Sequence, residues 1–276
     1  MRLTDLLSTT SITDIFIIVF VLVDDYLKDA IETGKFTLPE KSNQKGTYSE
    51  LLTIVLVGEM LQQNNQGAWF LTVKWRYAFL FPTLPSLSRF YRIQRNFERV
   101  YADLALLIAQ HVGVYAIDSK PLPICQGSRY QRDRQMSEAT SGYGGSDSKK
   151  MFYGFKLHAI ANPLGYICRF AIVPANVHDA TVGKCMLDER YDDLNVVVGD
   201  KAYVGCGIYI PPKKNAKTPS FWSESFAKAR KCIETVFSSL VRCRNLMLQQ
   251  LNSFWSIRAS VCRKIAAHNL LLFLFA

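Results

Sequence analysis

Three acidic residues occupy sequence settings that suit metal-dependent chemistry at a phosphodiester. Asp118 follows the apolar run 112–117, and Asp200 follows a second, mainly apolar run at 195–199. A β-rich apolar run that ends in Asp predicts a strand that carries the carboxylate to the edge of a sheet. Glu234 lies in 230–237, which reads as a helix. Together these carboxylates could hold two divalent cations about 3.5–4 Å apart, as phosphoryl transfer on nucleic acid requires.

Each acid also has an ordinary alternative, because acidic residues are common at strand ends and on solvated helices. The block His178-Asp179 competes for the second position. Asp179 begins a predicted short helix, where it could cap the helix or bind a metal, and His178 could hydrogen-bond a metal ligand. The sequence context favours Asp200 as the ligand and leaves His178 and Asp179 as neighbours of the site.

The chain of 276 residues has a net charge of +10 that is distributed unevenly. Residues 1–200 hold 21 basic and 21 acidic side chains, whereas residues 201–276 hold 12 basic side chains against Glu224 and Glu234. This excess indicates a polyanionic partner, although a basic surface without a ligand is an alternative. The candidate phosphate contacts are Lys156, His158, Lys201, Lys213, Lys214, Lys217, Arg230 and Lys231. A second candidate row, or a solvated helix face, consists of Arg89, Arg92, Arg95 and Arg99.

Composition excludes several classes of protein. With 49% hydrophobic residues the chain can bury a core, so global disorder is not expected. The seven cysteines are irregularly spaced and contain no CxxC pair, which argues against a zinc ribbon or a disulfide framework and fits a reducing cytoplasm. No secretory signal is visible, and the apolar run Ile15–Val23 is far shorter than the about 20 residues that span a bilayer.

Residues 1–110 have mainly helical patterns. One helix is expected from Ile15 to the pair Asp24-Asp25, after cap residues in 10–14. A loop is expected over 32–46, then a helix capped by Ser49, and a long helix over 87–110.

From Val112 onward the pattern changes to strands. Alternation over 152–159, a turn at Asn162-Pro163-Leu164-Gly165 and a return strand at 167–173 predict an antiparallel hairpin. A helix should then run from His178 to about Arg190, whereas 126–150 reads as a polar loop. Three strands before the first helix and one after it match ribonuclease H topology.

Five ordered blocks between about residues 112 and 245 carry a family resemblance. They are Ala116-Ile117-Asp118-Ser119, the segment 152–158, the segment 174–180, Gly199-Asp200-Lys201-Ala202-Tyr203 and the segment 230–238. As a set they resemble the DDE-domain transposases of bacterial insertion sequences. This chain departs from the tyrosine, arginine, glutamate, lysine pattern that many members of the wider group have around the third acid. Arg230 and Glu234 match that pattern, whereas Ala227 replaces the tyrosine and Val241 replaces the lysine.

The resemblance implies an α/β fold: a ribonuclease H-like mixed five-stranded sheet with flanking helices in residues 111–276. A mainly helical domain, residues 1–110, would precede it and serve DNA-end binding or dimerisation. Asp118, Asp200 and Glu234 would be both catalytic residues and metal ligands. The cofactor would be two Mg²⁺ ions, which Mn²⁺ could replace.

The same resemblance implies a cytoplasmic, nucleoid-associated bacterial enzyme. It would cleave and join DNA at terminal inverted repeats and at target DNA, and would act as a homodimer in the synaptic complex. A membrane and a small-molecule substrate are not expected. Two other functions remain open: another ribonuclease H-like metal nuclease, and a catalytically silent, domesticated DNA-binding protein.

Overall fold

The computed structural model describes residues 10–39, 44–126, 136–143, 151–188, 194, 196–212, 222–247, 251 and 253–275. The chain divides into two compact units. The first comprises Met1–Leu107 and Ala259–Ala276, and the second comprises Ile108–Arg258. The first boundary lies between Leu107 and Ile108, and the sequence analysis expects one at residue 110. Ala259–Ala276, by contrast, cluster with the N-terminal helices and not with the sheet.

The first unit is helical. Its helices are α1 (Ile12–Glu32), α2 (Tyr48–Met60), α3 (Gln66–Arg76), α4 (Leu87–Arg95), α5 (Glu98–Leu107) and the part of α8 (Phe254–Phe275) from Ala259 onward. Two charged groups of α8 are buried here: Arg263 Nε lies 2.7 Å and Lys264 Nζ 3.4 Å from the Glu59 carboxylate. Part of the C-terminal positive charge therefore neutralises a buried acid and does not face a partner.

Several predicted helix limits in this unit are wrong. Helix α1 continues past Asp24-Asp25, because the Asp24 carboxylate is paired with Lys28 at 2.7 Å and accepts a hydrogen bond from the Ser49 hydroxyl at 2.7 Å. The cap of α2 is Thr47, which forms a capping box with Glu50, and not Ser49.

The helix predicted over 87–110 is instead two helices, α4 and α5. Helix α4 ends with Asn96 as its C-cap, and α5 begins at Glu98. The arginine row is therefore divided between them, with Arg99 on α5.

The second unit contains a mixed five-stranded sheet. Its elements are β1 (Tyr115–Gln126), β2 (Thr140–Tyr143), β3 (Met151–Ala161), β4 (Ile167–Pro174), α6 (Asp179–Asp188), β5 (Val197–Val198), a 3₁₀ turn (Lys201–Tyr203), α7 (Glu224–Arg244) and the start of α8. Strand β1 pairs antiparallel with β3 and parallel with β5. The other edge of β3 pairs antiparallel with β2 and β4. The predicted α/β class and five-stranded mixed sheet are confirmed.

The predicted hairpin is confirmed, whereas the predicted end of β1 is wrong. In the turn, the Gly165 amide donates to the Asn162 carbonyl at 3.0 Å, and β4 returns along β3. Strand β1 does not end at Asp118, because β3 supplies ladder partners as far as Gln126. The short strand β2 lies within the stretch that was expected to be a loop. No helix in the described part of the chain is long and apolar enough to cross a membrane.

Candidate active site

Strand pairing brings Asp118 and Asp200 to neighbouring positions. Ala116 of β1 pairs with Val198 of β5 in parallel register, so the two acids each lie two residues beyond the same pair. Between Val198 and Asp200, Gly199 fits a space that admits no side chain. A Cβ there would lie 2.6 Å from the Ile208 side chain and 2.9 Å from the Ile117 side chain.

Asp200 also begins the next element. Its Oδ1 accepts a hydrogen bond from the Ala202 amide at 2.9 Å and caps the 3₁₀ turn. One carboxylate oxygen is thus used to shape the turn, and the side chain stays half-buried at the end of the strand.

Glu234 comes from α7, the helix that packs against β1. The buried face of α7 includes Ile233, Val236 and Phe237, which leaves Glu234 on the exposed side with 61% of its side chain accessible. Arg230, one turn earlier, places a guanidinium nitrogen 3.7 Å from the Glu234 carboxylate. This spacing is the i, i+4 ion pair expected on a helix surface.

The electrostatics of Asp118 link the three acids. Burial and, to a smaller extent, the negative charges of Asp200 and Glu234 raise the pKa of the Asp118 carboxyl to about 6. The Ser119 amide, which donates to Asp118 Oδ1 at 2.8 Å, and the Arg230 charge oppose that rise. Asp118 is therefore a partly buried carboxylate within electrostatic reach of two others.

Asp118 interacts electrostatically with Asp200 and Glu234, but the three carboxylates are not arranged as a ready-made metal site. Among the residues that the structure describes, no three His, Cys, Asp or Glu side chains are grouped closely enough to hold a metal ion. The donor set nevertheless fits Mg²⁺, which prefers hard oxygen ligands, keeps several waters and needs few carboxylates. A cation at Asp118 would also offset the unfavourable burial of its negative charge.

Asp179 and Lys156 form a polar cluster beside this site. The Lys156 ammonium contacts the Asp179 carboxylate and donates to the Val177 carbonyl at 2.5 Å. The Ser119 hydroxyl, next to Asp118 in the chain, donates to Asp179 Oδ2 at 3.2 Å. Both carboxylate oxygens of Asp179 therefore have protein partners.

His158 lies deeper in the same cluster. Its side chain is inaccessible, its Nδ1 is 2.8 Å from the Tyr203 hydroxyl, and burial lowers its pKa well below the usual range. The sequence places Lys156 and His158 together on a strand face expected to contact DNA. Burial rules out such a contact for His158 in this structure, and the Lys156 charge is used by Asp179.

The remaining sequence candidates have varied surroundings. Lys201 and Lys231 are exposed, and His178 is exposed at the start of α6. Lys213, Lys214 and Lys217 lie outside the described residues. In the first unit Arg89 is half-buried, and the exposed members of the row are Arg92, Arg95 and Arg99.

Tyr203 is a residue of the site to which sequence reasoning gives no role. It lies three residues after Asp200 and is fully buried. Burial is the main cause that raises the pKa of its hydroxyl far above the usual value, and the negative charges of Asp179, Asp118 and Asp200 add to it. The one available sequence clue is its position within the block Gly199–Tyr203. Its hydrogen bond to His158, 45 residues away, depends on tertiary structure.

A protein-family model described as "Transposase DDE domain" matches residues 108–247. The match covers just over half of the chain and includes β1 through α7 with all three acids. No curated protein and no solved structure matches the chain.

Proposed function

The chain belongs to the transposase DDE domain family, and we propose on that basis that it cleaves DNA strands at the ends of an insertion sequence and joins them to target DNA. The observation that carries this proposal is the setting of Asp118. This half-buried carboxyl is in parallel register with Asp200 and lies within electrostatic reach of both Asp200 and Glu234. Such clustered, mutually repelling carboxylates are typical of functional sites.

In this proposal Asp118, Asp200 and Glu234 hold two Mg²⁺ ions, and Mn²⁺ can replace them. When bound, the cations would activate the attacking oxygen and stabilise the leaving oxygen of the phosphodiester. Arg230 holds Glu234 by their ion pair and is exposed enough to bind a phosphate as well.

Asp179 is the competing second acid, and its contacts favour a supporting role. Lys156 and Ser119 already bind its two oxygens, so a cation would have to displace them. We therefore propose Asp200 as the ligand, with Asp179 and His178 as neighbours that act on the site indirectly.

The DNA path in this proposal follows exposed basic groups near the acids. Lys201 follows Asp200 directly, and Lys231 is exposed on α7 beside Arg230. Lys213, Lys214 and Lys217 remain proposed phosphate contacts on their sequence position alone. The helical first unit would bind the DNA ends or a second copy of the chain, so that a homodimer holds both ends.

The test is a cleavage and joining assay on DNA that flanks the gene for this chain, with DNA binding measured separately by gel shift. We expect Asp118→Asn, Asp200→Asn and Glu234→Gln each to lose cleavage and joining in Mg²⁺ and in Mn²⁺. DNA binding should persist, because basic groups hold the phosphates while carboxylates hold the metal. Chelation of divalent ions should have the same effect on the unmodified chain.

Glu224→Gln is the matched control for Glu234→Gln, because Glu224 lies on the same helix, is exposed and is paired with a basic residue at i+4. It should cleave like the unmodified chain. Near-normal joining by any of the three amide variants would remove that residue from the site. An inactive Asp179→Asn beside an active Asp200→Asn would transfer the second position to Asp179.

A further inference from the structure

The support for Asp200 from its own strand is slight. Strand β5 consists of Val197–Val198 only, and it pairs with β1 at two positions. On its other edge it forms a bridge with Tyr209, whose carbonyl accepts a hydrogen bond from the Gly199 amide at 3.0 Å. A metal ligand must be held within about 0.5 Å and 10–20° of its working geometry to act efficiently. These strand contacts end at Gly199, one residue before Asp200, so the position of Asp200 itself depends on the turn that follows.

Tyr203 is positioned to be that anchor. Its amide donates to the Asp200 carbonyl at 3.3 Å and closes the 3₁₀ turn that Asp200 caps. Its side chain is fully buried and packs closely against α6, where a Cβ on Gly183 would be 2.7 Å from the Tyr203 ring. The turn therefore joins a half-buried carboxylate at one end to a fully buried ring at the other.

The Tyr203 ring is fixed further by His158 of β3. The Tyr203 hydroxyl lies 2.8 Å from His158 Nδ1, and neither side chain is accessible to solvent. Since buried polar groups are unfavourable without partners, His158 depends on the Tyr203 hydroxyl, which also interacts with the Ser119 side chain. His158 Nε2 has no hydrogen-bond partner among the described residues, and the nearest Asp179 oxygen is 3.9 Å away.

The tautomer of His158 follows from these surroundings. The ring is neutral because burial lowers its pKa, so one nitrogen carries hydrogen and the other accepts. The negative Asp179 carboxylate near Nε2 favours hydrogen on that atom. The Tyr203 hydroxyl then donates to Nδ1.

We propose that the Tyr203–His158 pair positions Asp200 for divalent-cation binding, a role that rests on the proposed function of Asp200. The neighbouring contacts serve Asp118 in the same way. Ser119 follows Asp118, and its hydroxyl is bound to Asp179, which Lys156 holds in turn. Strand β3 thus acts on both Asp118 and Asp200. Lys156 contacts Asp179, which binds Ser119 next to Asp118, and His158 contacts Tyr203, whose turn begins at Asp200.

The first variant is Tyr203→Phe, which deletes one hydroxyl and keeps the ring. We expect Mn²⁺ affinity, measured on the DNA-free protein from the electron paramagnetic resonance of free Mn²⁺, to fall about 10–100-fold. That range is typical when a partner of a metal ligand is lost. The Mg²⁺ concentration for half-maximal cleavage should rise correspondingly, and DNA affinity should not change.

Tyr166→Phe is the matched control. Tyr166 is equally buried in the same unit, but its hydroxyl has no hydrogen-bond partner among the described residues. Removing it should change Mn²⁺ affinity less than about twofold. Both variants are compared well below their melting temperatures, so a general loss of stability does not produce the expected difference.

His158 provides a second, independent pair of variants. The side chain of Asn can offer a polar atom where Nδ1 lies, whereas that of Gln reaches the position of Nε2. His158→Asn should therefore keep Mn²⁺ binding close to that of the unmodified chain, and His158→Gln should lose as much as Tyr203→Phe.

Asp200→Asn separates this inference from the proposed function. If Asp200→Asn keeps Mn²⁺ affinity and cleavage, the proposed function fails. If Asp200→Asn loses both while Tyr203→Phe binds Mn²⁺ as tightly as Tyr166→Phe, the positioning role alone is overturned. Equal losses in the Asn and Gln variants of His158 would also overturn it, because the Nδ1 contact would then be irrelevant.

Discussion

Replacing Asp118 by Asn should stabilise the second unit while abolishing its proposed chemistry. In the folded chain, burial and nearby negative charges raise the pKa of Asp118 from 3.8 to about 6. The unfolded chain therefore releases this proton at lower pH than the folded chain does. Above about pH 6 both states are ionised, and the folded state bears the unfavourable buried charge.

The size of the effect follows from linkage. One pH unit corresponds to about 1.4 kcal/mol, so the raised pKa lowers the free energy of unfolding by about 3 kcal/mol above pH 6. The penalty should shrink to about 1.5 kcal/mol at pH 5 and vanish below about pH 3.8. Asn carries no charge and can still accept the hydrogen bond from the Ser119 amide. Asp118→Asn should therefore gain these amounts at the same pH values, without divalent ions.

Hydrogen exchange of β1 amides such as those of Ala116 and Ile117 is a suitable assay, because it reports opening of this sheet independently of the first unit. Asp188→Asn is the control, since Asp188 is exposed on α6 in the same unit. Adding Mg²⁺ should stabilise the unmodified chain more than Asp118→Asn. A destabilised Asp118→Asn, or a gain that is constant from pH 5 to pH 8, would refute this account of Asp118.

Three further predictions concern other parts of the chain. The pKa of His158 is lowered to about 4 from 6.5 by burial, so its contribution to stability is complete above pH 6.5 and should fall by about 2 kcal/mol between pH 7 and pH 5. The free energy of unfolding of His158→Asn, measured with urea, should not show this fall. An equal fall in the variant and in the unmodified chain would contradict this role of His158. Gly199→Ala should lower the free energy of unfolding, measured thermally, by about 1–3 kcal/mol and reduce cleavage, because its Cβ would overlap the Ile117 side chain. Unchanged stability and cleavage would show that the two strands can move apart at little cost. Replacing Lys213, Lys214 and Lys217 together should reduce the steepness of the slope of log DNA affinity against log salt by about two to three units. An unchanged slope would exclude these lysines as phosphate contacts.

The apolar runs before Asp118 and Asp200 predict two strands, because they are short, rich in valine and followed by residues that typically end a strand. The length of β1 could not be predicted in this way. Pro121 and Pro123 argue against a strand, since each lacks an amide hydrogen. They are tolerated because β5 pairs with β1 only at its start, at Tyr115 and Ala116, and no other described strand pairs with that edge further along.

Strand alternation correctly puts Lys156 and His158 on one face but cannot say what covers that face. In the structure the cover is α6, with Asp179, and the turn that holds Tyr203. Likewise, counting charge along the chain cannot reveal that Arg263 is neutralised by Glu59, because the two are 204 residues apart. Contacts of this range depend on the complete fold and have no local pattern.

The central claim is that Asp118, Asp200 and Glu234 form one divalent-cation site. Anomalous X-ray scattering from a crystal of the chain grown with Mn²⁺ and a DNA end tests it most directly. Manganese peaks bound by Asp118 and Asp200, with Glu234 as a further ligand, are the predicted result. Peaks bound by Asp179 in place of Asp200, or located away from all three acids, would contradict the account.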